Sequence, residues 1–152
     1  MSVLPTPAVV AAPADAPDHP GPTPMPKPMS AAMRCELSQR FYFESAHTLQ
    51  RSVDATGSRR IHGHTYEAEV TVAGTPRESD GMVVDLGELR AEIARLRDML
   101  DHRLLDEVPG LGPATLERLC LFMRAQLIES VPGLCAVMVE RRASGDRCQL
   151  RW

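Results

Sequence analysis

"HGHTYEAEVTV", residues 62–72, alternates strictly: His64, Tyr66, Ala68, Val70 and Val72 share one side, with Thr65, Glu67, Glu69 and Thr71 between them. Period two over nine residues, rich in β-branched and aromatic types, predicts a half-buried strand. Residues i and i+2 point to the same face of a strand, so His62 joins His64 on the buried side. The strand therefore opens with two imidazoles on the face that its apolar residues occupy, in a chain of 152 residues with only five histidines.

A second strand precedes it. In "RCELSQRFYFESAH", residues 34–47, the residues Cys35, Leu37, Phe41 and Phe43 fall on one face at period two, with Gln39 the exception. The polar stretch from Thr48 to Arg60 between the two strands reads as a loop. After a turn over residues 74–82, Leu86, Leu89, Ile93, Leu96 and Leu100 recur at spacings of three and four, the mark of an amphipathic helix. "DHRLLDEVPGLGPA", residues 101–114, reads as loop. Thr115 is placed to cap a second helix striped by Leu116, Leu119, Cys120, Met123 and Leu127. "GLCAVMVERR", residues 133–142, is a third strand. A turn at "SGD" leads to a fourth, "RCQLRW", residues 147–152. Two strands, two helices and two strands predict an α+β domain with an antiparallel sheet.

Composition narrows the function classes. The net charge of −3 gives no footprint for nucleic acid or an anionic membrane surface. No apolar run approaches the roughly 18 residues of a membrane span, and the N-terminus lacks a secretory signal pattern, so a cytoplasmic protein is expected. The four cysteines, Cys35, Cys120, Cys135 and Cys148, form no CxxC or CxH pair and are read as reduced. Residues 1–32 hold most of the prolines and no aromatic residue, which predicts a disordered leader before a domain at 33–152; Met33 is an alternative start.

The histidines point to a metal. His62 and His64 share a face, Gly63 between them leaves room at the backbone, and His47 ends the neighbouring strand. If the two strands pair as a hairpin, three imidazoles converge. Three protein ligands with a fourth position open is the pattern of catalytic zinc. A fourth histidine, His102, follows Asp101 in "LDH".

Five motifs then occur in order: "FESAH" ending at His47, "HGH" at 62–64, "GMVVDL" at 81–86, "LDH" at 100–102 and "TLE" at 115–117. Together they resemble the 6-pyruvoyltetrahydropterin and 6-carboxytetrahydropterin synthase family, over residues 34–152. The resemblance implies the T-fold, a four-stranded antiparallel sheet with two helices on one face in the order ββααββ. It implies assembly into barrel-forming trimers or hexamers, and Zn2+ on His47, His62 and His64. The implied substrate is the small molecule 7,8-dihydroneopterin triphosphate. For the bacterial branch the implied product is 6-carboxy-5,6,7,8-tetrahydropterin, with release of acetaldehyde and triphosphate, on the route to queuosine and other deazapurines. Asp101 and His102 match the family's catalytic Asp–His pair, His102 as proton carrier. Thr115 and Glu117 are expected near the pocket.

Two positions depart from the family pattern. The bacterial branch carries its catalytic cysteine four residues before the first histidine of HGH, where this chain has Ser58; a serine hydroxyl needs separate activation to act as a base. The family's penultimate strand supplies a pterin-anchoring glutamate where this chain has Arg141. Glu140, one residue early, takes the anchor role only if a bulge re-aims it. Arg59 and Arg60 are candidate contacts for the triphosphate. The departures leave two alternatives to the lyase: a pterin-binding paralogue without turnover, and an enzyme for another pterin.

Overall fold

The computed structural model describes residues 33–53 and 55–152. The expected leader, residues 1–32, lies outside them. The elements run β1 (Cys35–His47), α1 (Ala55–Ser58), β2 (His62–Gly74), α2 (Leu86–Leu100), β3 (Arg103–Leu104), a 3-10 turn (Leu105–Glu107), α3 (Leu116–Leu127), β4 (Leu134–Arg141) and β5 (Asp146–Arg151). The sheet order is β3-β1-β2-β4-β5. All neighbours are antiparallel except β3, which lies parallel to β1 opposite Ser45 and Ala46.

The sheet is therefore five-stranded and mixed among the described residues, where four antiparallel strands were expected. The extra strand is two residues long, too short to show any periodicity. It forms because His102 at the end of α2 adopts φ 56° and its N–H donates to Glu44 O at 2.6 Å, turning the chain onto the edge of β1. The one-turn helix α1 lies in the stretch read as loop.

One face of the sheet carries the core. Phe43, Tyr66, Val70, Val72, Val137 and Val139 are buried against the stripes of α2 (Leu89, Ile93, Leu96, Leu100) and α3 (Leu119, Cys120, Met123, Leu127). The rings of Phe43 and Tyr66 stack with centroids 4.9 Å apart. Gln39, the polar break in the β1 pattern, also faces the helices, and its Oε1 accepts from Arg90 on α2. Capping fixes where the helices begin: Asp85 accepts from Gly87 N, and Thr115 Oγ1 accepts from Arg118 N. The other face of the sheet is laced with polar pairs, Arg40 with Glu69 and Arg142 with Glu67 and Glu140.

Gly133, leading into β4, has φ +75°, and a Cβ there would lie 2.7 Å from Ala73 O. The same pair is joined by Ala73 N donating to Gly133 O at 2.8 Å, so the two segments cannot separate without losing a bond. Gly133→Ala is expected to lower stability by about 3 kcal/mol, from left-handed strain plus a backbone clash. Urea unfolding with an unchanged m-value checks it, and a midpoint within error of wild type contradicts it.

Candidate metal centre

The hairpin of β1 and β2 sets the site. Its register places His47 directly opposite His62 and Ser45 opposite His64. Directly opposed residues share a face with Cβ atoms about 5 Å apart, and the diagonal neighbour is within side-chain reach. The ring centroids of His47 lie 4.6 Å from His62 and 5.2 Å from His64, and those of His62 and His64 are 4.9 Å apart. One nitrogen from each ring falls within 4.8 Å of the others, a group that could hold a metal ion.

The donor set fits a metal. His47 is buried, and neither of its ring nitrogens has a hydrogen-bond partner. Leaving a buried polar atom unpaired costs about 1–3 kcal/mol, so such an atom asks for a ligand. Burial, with His62, His64 and Arg141 nearby, pushes the His47 imidazole down to about 4. His64 is held below its ordinary value by burial, then by Arg141 and His62. Both rings are thus neutral at pH 7, the form that binds a cation. His62 donates from Nδ1 to Arg60 O at 2.8 Å, which fixes its tautomer and leaves Nε2 with a free lone pair. The chain after His47 is pinned by Asp106, which accepts from Thr48 N and Thr48 Oγ1. Gly63 needs less room than expected: a Cβ there would meet only Ser45 O, at 3.7 Å.

The depressed value at His47 sets a stability window. Between about pH 6.5 and about pH 4 the unfolded chain binds a proton there that the folded chain does not. Stability of the metal-free protein therefore falls as pH drops through that window, by ~3 kcal/mol in total, and levels below it. Urea midpoints from pH 7 to 4 measure this, with His47→Ala flattening the profile; a flat wild-type profile would contradict the burial.

Two clefts adjoin the strands that carry the cluster. An open cleft of about 550 Å3 is lined by Glu44, Gly63, His64, Thr65 and His102. In it His102 Nδ1 lies 3.1 Å from Asp101 Oδ1. Asp101 is fixed in turn: Oδ1 accepts from Glu44 N, Oδ2 accepts from Arg97, and its carboxyl is held low first by that Glu44 amide. A second cleft of about 390 Å3 is lined by His47, Tyr66, Thr115, Glu117, Arg141 and others. Thr115 and Glu117 thus join His47, although the Thr115 hydroxyl also caps α3. The Glu117 carboxyl is held low by its own amide and the Thr115 hydroxyl.

Glu140 stands apart from both. It faces Glu67 across the sheet and accepts from Arg142 Nε at 3.2 Å, on the face away from the helices. The register shift in this strand pair lies at Thr71/Val72, not beside Glu140. Arg141 takes the inward position, with Nη1 3.2 Å from His64 Nε2 and Nη2 donating to Asp146 at 2.7 Å. The alternation Val137, Val139, Arg141 carried that signal in the sequence; the partner Asp146, across the turn, did not show. Ser58 is buried, its Oγ reaching only Ala55 O at 3.5 Å. All four cysteines are free, and burial, with Cys148 adjacent, pushes the Cys120 thiol up to about 12.

Comparison with known proteins gives three kinds of likeness. The family model described as 6-pyruvoyl tetrahydropterin synthase matches residues 36–151. The 6-carboxy-5,6,7,8-tetrahydropterin synthase of Synechocystis is 36% identical over 96 residues, 60% of this chain and 73% of the relative. The 6-pyruvoyl tetrahydrobiopterin synthase of Dictyostelium discoideum is 32% identical over 103 residues, 60% of this chain and 76% of the relative. The solved structure of Caenorhabditis elegans 6-pyruvoyl tetrahydropterin synthase superposes with a TM-score of 0.70 at 23% identity, covering 82% of this chain and 99% of that one, a likeness of fold.

Proposed function

The chain belongs to the 6-pyruvoyl tetrahydropterin synthase family, and from that premise we propose that it is a zinc-dependent lyase of the 6-carboxytetrahydropterin synthase type. Its substrate is 7,8-dihydroneopterin triphosphate; its products are 6-carboxy-5,6,7,8-tetrahydropterin, acetaldehyde and triphosphate. The observation that carries the reading is the trio His47, His62 and His64, with both nitrogens of the buried His47 unpartnered and His47 lining the second cleft. The name of the Synechocystis relative supports the choice of product.

Bound zinc supplies a Lewis acid that polarises substrate oxygens. The chain's own residues supply the proton handling. His102 holds and moves the proton at a ring nitrogen, and Asp101 orients the ring through Nδ1. Asp101 is itself locked by the Glu44 amide and Arg97, so the pair is placed before substrate arrives. Ser58 has no base among its partners in the described residues, so the proton step is assigned to His102. Thr115 and Glu117 line the same cleft as His47 and Tyr66 and bound the substrate there. Glu140 as pterin anchor requires a neighbouring subunit's cleft, since within one chain it faces away from the histidines.

Assembly of several copies is part of this reading. Among the described residues, β5 is paired on one side only, and β1 has no strand partner along its outer side from Cys35 to Phe43. Exposed sheet edges invite strand pairing with another chain. No helix of the described residues is long and apolar enough to cross a membrane, and a cytoplasmic site of action goes with the proposed pathway.

Ser58 favours one second reading, a pterin-binding paralogue without turnover. Turnover of 7,8-dihydroneopterin triphosphate by zinc-loaded wild type and Ser58→Cys, with products separated by chromatography, decides between them. The lyase reading expects 6-carboxytetrahydropterin from wild type. Product from Ser58→Cys alone, or from neither, overturns it.

A further inference from the structure

We infer that the second cleft is an anion-binding site in which Arg141, with Arg51 beside it, takes a carboxylate or phosphate group next to the histidine cluster. The side chains of Arg141 and Arg51 share this cleft with Glu117 and Asp146; Arg147 also borders it but lies opposite Glu140, so its side chain is on the other face of the sheet. The Asp146 carboxylate is already engaged. Asp146 Oδ2 accepts from Arg141 Nη2 and from Ser144 Oγ, each at 2.7 Å.

Two donors on residues that line the cleft lack partners. Arg141 Nε is buried and has no partner, and the Tyr66 hydroxyl is likewise buried and unpaired. A guanidinium offers five N–H donors and no acceptor. It cannot pair with the N–H-bearing edge of an aminopyrimidine, and it matches the paired oxygens of a carboxylate or phosphate. Asp146 holds the head of Arg141 in place, so little side-chain freedom is lost when a ligand binds. A cation on the neighbouring imidazoles repels the guanidinium, whereas an anionic group is attracted to both. The ligand of this cleft is thus chosen by an anionic oxygen group. The inference stands whether or not the chain turns over a pterin.

The test is calorimetric titration of the purified full chain with two separate probes, inorganic phosphate and pyruvate, alongside the 15N-detected Arg Nε–H resonances. Wild type is expected to bind at least one probe and to shift the Arg141 Nε–H signal; which probe binds tells phosphate from carboxylate. Arg141→Gln is expected to weaken binding about tenfold or more, the worth of one charge-assisted pair. Arg142→Gln, altered on the opposite face of the same strand, is expected to leave it unchanged. Arg51 is exposed, so Arg51→Gln folds even if Arg141→Gln does not, and it is expected to weaken binding two- to threefold. The inference is overturned if neither probe binds at tens of millimolar, or if the cleft variants bind as wild type does.

Discussion

His47→Ala is expected to empty the site of metal while leaving the metal-free fold about as stable as before. A zinc site worth roughly 10–16 kcal/mol over four ligands gives each ligand about 3–4 kcal/mol, so affinity should fall about a hundred- to a thousandfold. The effect on the metal-free protein separates a ligand from a core residue. His47 is buried, yet both of its nitrogens are unpaired. Truncation opens a small cavity but also removes two unsatisfied polar atoms, and these effects oppose each other. Wild type should gain melting temperature on zinc addition and His47→Ala should not. Elemental analysis and calorimetry with and without zinc check both parts. If the variant keeps its zinc, or if the metal-free form loses 2–3 kcal/mol as a packed core residue would, His47 is structural.

His102→Asn is expected to lower turnover about a hundred- to a thousandfold, with zinc content and fold intact. The choice of asparagine follows from the backbone. His102 sits at φ 56°, a region that asparagine tolerates far better than alanine. Its N–H bond to Glu44 O, which seats β3 on the sheet, is then kept. Only the imidazole beside Asp101 is lost. A drop in kcat without loss of metal assigns the proton step to His102. Wild-type kcat in the variant removes that assignment and returns attention to the buried hydroxyl of Ser58.

The parts of the molecule that a sequence pattern can encode were those of long period. Alternation over residues 62–72 and 35–47 placed both central strands, and the face it defined already held the three histidines. Stripes at spacings of three and four placed α2 and α3, and Thr115 marked the start of the second. What stayed hidden depends on pairing rather than pattern. The two residues of β3 exist only because a left-handed residue turns the chain beside Glu44. Gln39 broke the apolar alternation because its partner, Arg90, lies 51 positions away on a helix.

The same distinction runs through the site. Alternation alone put Arg141 inward and Glu140 outward, and the register of β2 with β4 keeps them there, with the one irregularity at Thr71/Val72 too far off to exchange them. The ion pair with Asp146 and the contact with His64 could not be seen without the β4–β5 turn. Ser58 was legible as a departure from the family motif; that its hydroxyl is buried beside Ala55 O was not.

The most direct test of the central claim, a metal held by His47, His62 and His64, is X-ray absorption at the zinc edge of the reconstituted full chain. One zinc per chain is expected, with the multiple-scattering pattern of three imidazoles and no sulfur neighbour, since none of the four free cysteines belongs to the cluster. A sulfur shell, or a spectrum with fewer than two imidazoles, would place the metal elsewhere and contradict the site described above.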